Sequence, residues 1–246
     1  MSGEACLKVC AFTGKRRMVH SSKRVEVYIE GGAKRTFAAA MDWPGWTRSG
    51  RDEAAALQAL ADYGPRFARA IAPARLGFHA PQGMAEFSVV ERLKGTTTTD
   101  FGAPDASPAS DRASLEAAGL LRAQAILKAC WRTFDGAARL AAGHKLAVGP
   151  RGGGRDLDAI VRHTLEAEAA YLGRLGSSFR LDEHGELESE QRRLRAAVLA
   201  GLAAAARGEI PARGPRGGLR WRPRYFVRRV AWHLLDHAWE IEDRSK

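Results

Sequence analysis

The chain has 246 residues, an apolar share of 45% and a formal net charge of +11. Its length exceeds that of a usual single domain, so two modest domains, each with its own core, are the natural expectation. The longest apolar run, AAVLAGLAAAA at 196–206, falls well short of the roughly 20 residues of a membrane-spanning helix, and three cysteines exclude a dense disulfide framework.

Residues 1–24 hold six basic residues and one acid and show neither a helical nor a strand period. Basic residues follow the weak apolar patch of this leader, the reverse of a secretory signal, so a cytoplasmic location is expected. Met18 stands just before the first clear strand, which makes residues 1–17 a mis-assigned start or a disordered basic arm. Cys6 and Cys10 have the spacing of two thiol ligands on one helix face, but no second Cys or His pair stands nearby to complete a zinc site.

From Val25 the pattern sharpens. VEVYIE alternates Val25, Val27 and Ile29 against Glu26, Tyr28 and Glu30, Gly31 and Gly32 make a turn, and RTFAAAM returns as a second strand. Pro44 and Gly45 then force a turn in DWPGWTRSG. RDEAAALQALADYG follows as a helix, with Asp52 and Glu53 at its positive end and Ala56, Leu57, Leu60 and Ala61 as its apolar stripe. A short second helix, PRFARAI, and a returning strand, EFSVVERL at 86–93, complete a β-β-α-β order. Residues 25–100 carry nine basic residues and nine acids, so this module offers no excess of charge to a phosphate backbone.

Residues 95–113 are rich in Thr, Ser, Pro, Ala and Asp with almost nothing apolar to bury, and they read as a linker. Beyond them no strand-like alternation appears. Four helical segments are expected at about 114–140, 156–175, 189–207 and 223–243, with Asp156 capping the second and Pro223 in the first turn of the fourth. The fold class is therefore α+β, a small β-β-α-β sheet module over 25–94 followed by an antiparallel four-helix bundle over 114–246. The Gly-rich words GPRGG at 149–153 and 214–218 separate helices. GPRGGGRD at 149–156 offers backbone N–H groups to an anion but lacks the Lys-Ser/Thr ending of a P-loop.

Residues 101–246 carry 24 basic residues against 18 acids, and seven of the former, Arg213, Arg216, Arg220, Arg222, Arg224, Arg228 and Arg229, fall in one stretch without acids. Arginine outnumbers lysine 31 to 8, a bias that weakens any inference from the overall charge.

The chemistry concentrates in AWHLLDHAWE at 231–240. Phe226, Val230, His233, His237 and Ile241 share one helix face, so both histidines point toward the bundle interior. Two imidazoles at i and i+4 reach one metal ion, and a catalytic site needs a third ligand from elsewhere. His163, one turn after Ile160 on the second helix, is the candidate. The alternative is that the pair are core residues satisfied by hydrogen bonds. Burying neutral imidazoles without partners costs roughly 1–3 kcal/mol each, so partners are required in either case. Arg229, one turn before His233, is placed to hold a carboxylate or phosphate of a small-molecule substrate. Glu166, Glu168 and Asp236 are candidates for groups that support the site, with surface charges as the alternative.

Two resemblances extend this reading. RYFVRRVAWHLLDHAWEIEDR and GGGRDLDAIVRHTLEAEAAYLGRLG resemble the last and second helices of the DinB-like (YfiT-like) metalloenzyme superfamily of four-helix bundles. That resemblance, over residues 112–246, implies a divalent metal, zinc or nickel foremost, held by His163, His233 and His237. It also implies a transferase or hydrolase activity, with a low-molecular-weight thiol as a further cofactor. VEVYIE, the turn and RTFAAAMDWPGWTRSGRDEAAALQALADY, over residues 24–93, resemble the HicB-like antitoxin fold, with Asp42–Gly50 as the nearest match. It implies a recognition or dimerisation module, hence a homodimer. Since no helix-turn-helix follows, nucleic acid is not the expected partner. The rival expectation is a non-catalytic regulatory or nucleic-acid-binding protein with a degenerate bundle.

Overall fold

The computed structural model describes residues 24–148, 154–182 and 184–245. The expectations for the leader at 1–23, for Cys6 and Cys10, and for the Gly-rich loop at 149–153 lie outside the described residues.

Strand β1 (Val25–Gly31) pairs antiparallel with β2 (Thr36–Ala40), but the turn falls two residues beyond the expected Gly31-Gly32: Gly31 still pairs with Thr36, and Gly32 N–H donates to the Arg35 carbonyl at 2.9 Å around Ala33 and Lys34. A third strand, β3 (Thr47–Gly50), pairs antiparallel with β2, and β4 (Phe87–Lys94) runs parallel to β1, giving the order β3-β2-β1-β4. The sequence reading lacked β3 because TRSG has no apolar alternation. Its pairing is set instead by the Pro44-Gly45 turn, where Gly45 has φ +95° and Trp46 N–H reaches the Trp43 carbonyl at 3.0 Å.

Helix α1 (Glu53–Asp62) starts at Asp52, whose carboxylate accepts Ala55 N–H at 2.8 Å, and α2 (Gly64–Ile71) carries Pro65 in its first turn. Trp46 is completely buried between them and the sheet. It stacks on Phe67 at 5.6 Å between ring centroids and donates Nε1–H to the Leu60 carbonyl at 2.9 Å. α1 lies so close to β3 that a Cβ at Gly50 would stand 2.4 Å from the Ala56 nitrogen.

Residues 95–113 are not the structureless linker that their composition suggested. They contain α3 (Thr97–Phe101) and a 3-10 turn (Ala109–Arg112), and besides Pro104 and Pro108 they bury the polar Thr99 and Asp111. The fully buried Glu30 carboxyl of β1 accepts the Thr99 hydroxyl and the backbone N–H groups of Asp105, at 2.8 Å, and Ala106, at 3.0 Å. Asp111, 1% exposed, pairs with Arg228 at 2.9 Å. Hydropathy could not reveal this, because each buried polar group is satisfied by another polar group far along the chain.

Four long helices follow: α4 (Ala117–Ala141), α5 (Leu157–Leu175), α6 (Leu187–Ala206) and α7 (Pro223–Arg244), close to the expected bounds. Asp156 caps α5 through Ala159 N–H at 2.8 Å, and Pro223 opens α7. α7 packs along α4 and against α5, while α5 also packs on α6. Buried side chains of the sheet, α1, α2 and all four long helices form one apolar cluster. Phe37 of β2 meets Trp232 of α7 edge-on at 6.3 Å, and Arg48 of β3 pairs with Asp236 of α7 at 2.9 Å.

Glu30→Ala leaves the Thr99 hydroxyl and the two N–H groups without their acceptor. It is expected to cost roughly 3 kcal/mol of stability and to accelerate amide exchange at Asp105 and Ala106. Unchanged exchange at those two amides would show that the carboxyl does not hold the segment.

Candidate metal centre

Among the described residues, His163, His233 and His237 form a group of metal-competent side chains whose donor nitrogens lie within 4.8 Å of one another. The packing of α5 on α7 brings His163 to the i, i+4 pair. Ring centroids are 5.1 Å apart for His163–His233, 5.1 Å for His163–His237 and 4.6 Å for His233–His237. Nε2 of His163 faces Nε2 of His233 at 3.2 Å. Two nitrogens each ~2.1 Å from one ion stand ~3.0–3.4 Å apart for angles from right to tetrahedral, so this pair already has ligand spacing.

His233 is 6% exposed, and the other two are partly open. Burial, followed by the neighbouring His237 and His163, holds His233 well below its ordinary pKa. His163 is lowered by burial, Arg155 and His237. Both rings therefore stay neutral at neutral pH, with a lone pair to offer. His237 Nδ1 contacts the Glu240 carboxylate at 2.8 Å, and Arg244 holds the same carboxylate at 2.7 Å. Glu240 is lowered below the usual carboxylate range chiefly by its bond to His237. A carboxylate on one ring nitrogen orients the ring and leaves Nε2 to a metal. Sequence reasoning missed Glu240, although its position three residues after His237 was a usable signal. The Nδ1 of His233 is buried with no partner.

Arg229 stands one turn before His233, as expected, but it is 7% exposed and already engaged. It donates to the Pro104 carbonyl and, at 3.5 Å, to the Tyr171 hydroxyl, and its guanidinium lies 5.3–5.9 Å from the ring centroids of Tyr171, Trp221 and Trp232. Its Nε is buried without a partner. The Tyr171 ring stands 5.6 Å from that of His233, so an aromatic wall joins Arg229 to the histidines. No motif announced Tyr171.

Most of the arginine stretch serves loop carbonyls. Arg213 donates to Gly217, Arg220 to Pro211, Arg222 to Arg112, and Arg224 to Ala113 and Ser114. Arg228 donates to the Ala40 and Met41 carbonyls besides its pair with Asp111.

Of the three acids named from the sequence, Glu166 is exposed and Asp236 is held by Arg48. Glu168 is no surface charge. It is 4% exposed, accepts Trp131 Nε1–H at 2.8 Å, and is pushed up to about 7 by burial.

Comparison with family models, curated proteins and solved structures finds no match for this chain.

Because folding raises the pKa of Glu168 from 4.5 to about 7, the protonated carboxyl favours the fold below 4.5, and that contribution is lost as pH rises through about 7. Glu168→Gln keeps the acceptor for Trp131 without the ionisation. The stability difference between variant and parent, read from urea midpoints, is expected to move in favour of the variant across that window. Parallel pH profiles would show that Glu168 ionises at no cost to the fold.

Proposed function

We propose that this chain is a metal-binding helix-bundle protein, a divalent-metal-dependent transferase or hydrolase acting on a small molecule, with α4–α7 as an antiparallel four-helix bundle of the DinB-like kind. The observation that carries the reading is the convergence of three imidazoles from α5 and α7. Zinc or nickel suits that donor set. When bound, such an ion lowers the pKa of water or of a low-molecular-weight thiol and makes a nucleophile at neutral pH.

The chain's own residues would then divide the work. His163, His233 and His237 hold the ion, and Glu240 fixes the His237 ring. The aromatic wall of Tyr171, Trp221 and Trp232 excludes water on one side, and the buried guanidinium of Arg229 behind it supplies positive charge one turn from the ion toward an acidic group of the substrate. The sheet part, with its HicB-like pattern, serves recognition or homodimerisation. A cytoplasmic setting belongs to the same proposal; no helix among the described residues is long and apolar enough to cross a membrane. The rival reading as a nucleic-acid-binding regulator draws less support, because most of the arginines it would use are pinned by part of their donors to backbone carbonyls of the protein and do not form one free basic face.

Elemental mass spectrometry of the purified, untagged protein tests the proposal. Near-stoichiometric zinc or nickel is expected in the parent, with none in a folded His233→Ala/His237→Ala variant. Glu240→Gln is expected to weaken metal affinity ~10–100-fold while circular dichroism stays unchanged. A parent that remains metal-free after incubation with zinc, nickel and manganese would sink the enzyme reading.

A further inference from the structure

Away from the histidine cluster, α7 lines a cavity of about 150 Å³. Arg224 on its wall and His233 in the histidine cluster are nine residues apart on one helix. At about 100° per residue they point in opposite directions, so the two sites sit on opposite faces of α7.

The cavity is amphipathic. Leu115, Ala123, Ile126 and Val227 give it an apolar floor, and Arg122 and Arg224 stand at its rim. Arg122 uses one N–H on the Asp42 carbonyl, at 3.0 Å, and lays its guanidinium over the Trp43 ring at 4.3 Å. Arg224 spends its Nε–H and one terminal nitrogen on the Ala113 and Ser114 carbonyls. Each guanidinium thus keeps N–H groups for a ligand while its orientation is fixed by the protein. Arg228 also lines the space, its charge balanced by Asp111, and the exposed Asp42 carboxylate supplies one opposing charge. The balance at the rim still favours an anion.

We infer that this cavity is a binding site for a small carboxylate with an apolar body of about benzene size, separate from the histidine cluster. A space of ~150 Å³ is large enough for a benzene-sized body, and because this one opens to solvent at its charged rim the carboxylate end of such a ligand stays there. A carboxylate, planar and two-pronged, matches guanidinium donors in a way that a spherical anion does not. The walls come from the end of β2, from α4 and from α7. The occupant therefore bridges the sheet and the helices and stabilises their packing by mass action.

Benzoate is the probe, titrated calorimetrically into the full chain and into a His233→Ala variant that lacks one imidazole. Saturable binding below ~10 mM is expected in both, together with a rise in Tm. Arg122→Gln and Arg224→Gln are each expected to weaken it ~10-fold or more. Arg122→Gln is the cleaner of the two, since it gives up a single carbonyl contact. Ala123→Leu, which fills the floor, abolishes binding. Acetate, with the charge alone, and benzyl alcohol, with the ring alone, bind at least ~10-fold more weakly. No saturable benzoate binding, or binding that both arginine variants leave unchanged, overturns the assignment. Binding lost on His233→Ala also overturns it, since the carboxylate then sits at the histidine cluster.

Discussion

Burial of α7 on every side is the constraint on which the rest of the structure depends. Tyr225, Val227, Val230, His233, Leu234, Trp239 and Ile241 leave this helix in different directions, and all are buried. A helix enclosed in this way must find an acceptor or donor for every polar group it carries. Its partners come from the whole chain: Asp111 and the Ala40 and Met41 carbonyls for Arg228, Pro104 and Tyr171 for Arg229, Arg48 for Asp236, and His163 for His233. Sheet, helices and the segment between them are thus held to one another through one helix.

The same constraint explains the arginines. Breaking a buried ion pair by removing one partner typically costs 3–5 kcal/mol, roughly, because the other charge is stranded. Arg228 is an interior residue of that kind. Its three donor nitrogens all have partners, which lock the end of β2 and the 3-10 turn to α7. Guanidinium groups suit this task since they stay charged and their forked donors cap carbonyls that no helix or strand can pair. In a run of seven arginines that looks like a surface for phosphates in sequence, Arg228 and Arg229 are drawn inward, and Arg213, Arg220, Arg222 and Arg224 brace backbone carbonyls nearer the surface.

Elements whose stability comes from their own period were legible. VEVYIE as a strand, the acidic helix start at Asp52, the Asp156 cap and the four long helices follow from patterns within a few residues, although β1 buries Tyr28 and Glu30 together with the alternating Val27 and Ile29. So did the meeting of His163 with His233 and His237, because each sits on the apolar face of its helix and such faces point inward. What escaped has another origin. β3 pairs through a turn and a close helix approach at Gly50, and residues 95–113 are held by polar groups more than sixty positions away, such as Glu30. Local pattern carries no trace of a partner that distant. Glu168 shows the converse failure, since a carboxyl is assigned to the surface by type and only the tertiary structure buries it beside Trp131.

Proton placement in the histidine cluster bears on the reading proposed for it. A neutral imidazole has one N–H and one lone pair. Glu240 settles which nitrogen of His237 carries the proton, because the carboxylate accepts at Nδ1. Nothing comparable acts on His233: its Nδ1 has no partner, and its Nε2 faces the like nitrogen of His163. One of those two nitrogens must donate for the contact to be a hydrogen bond, and a third imidazole close by cannot join it. Two lone pairs at that distance repel. A cation between the rings would take up the facing lone pairs of His163 and His233, and the ligand atom that His237 offers lies within 4.8 Å of theirs. Facing imidazole nitrogens are donors that a cation would satisfy, and this chemistry supports the proposed metal site independently of any resemblance.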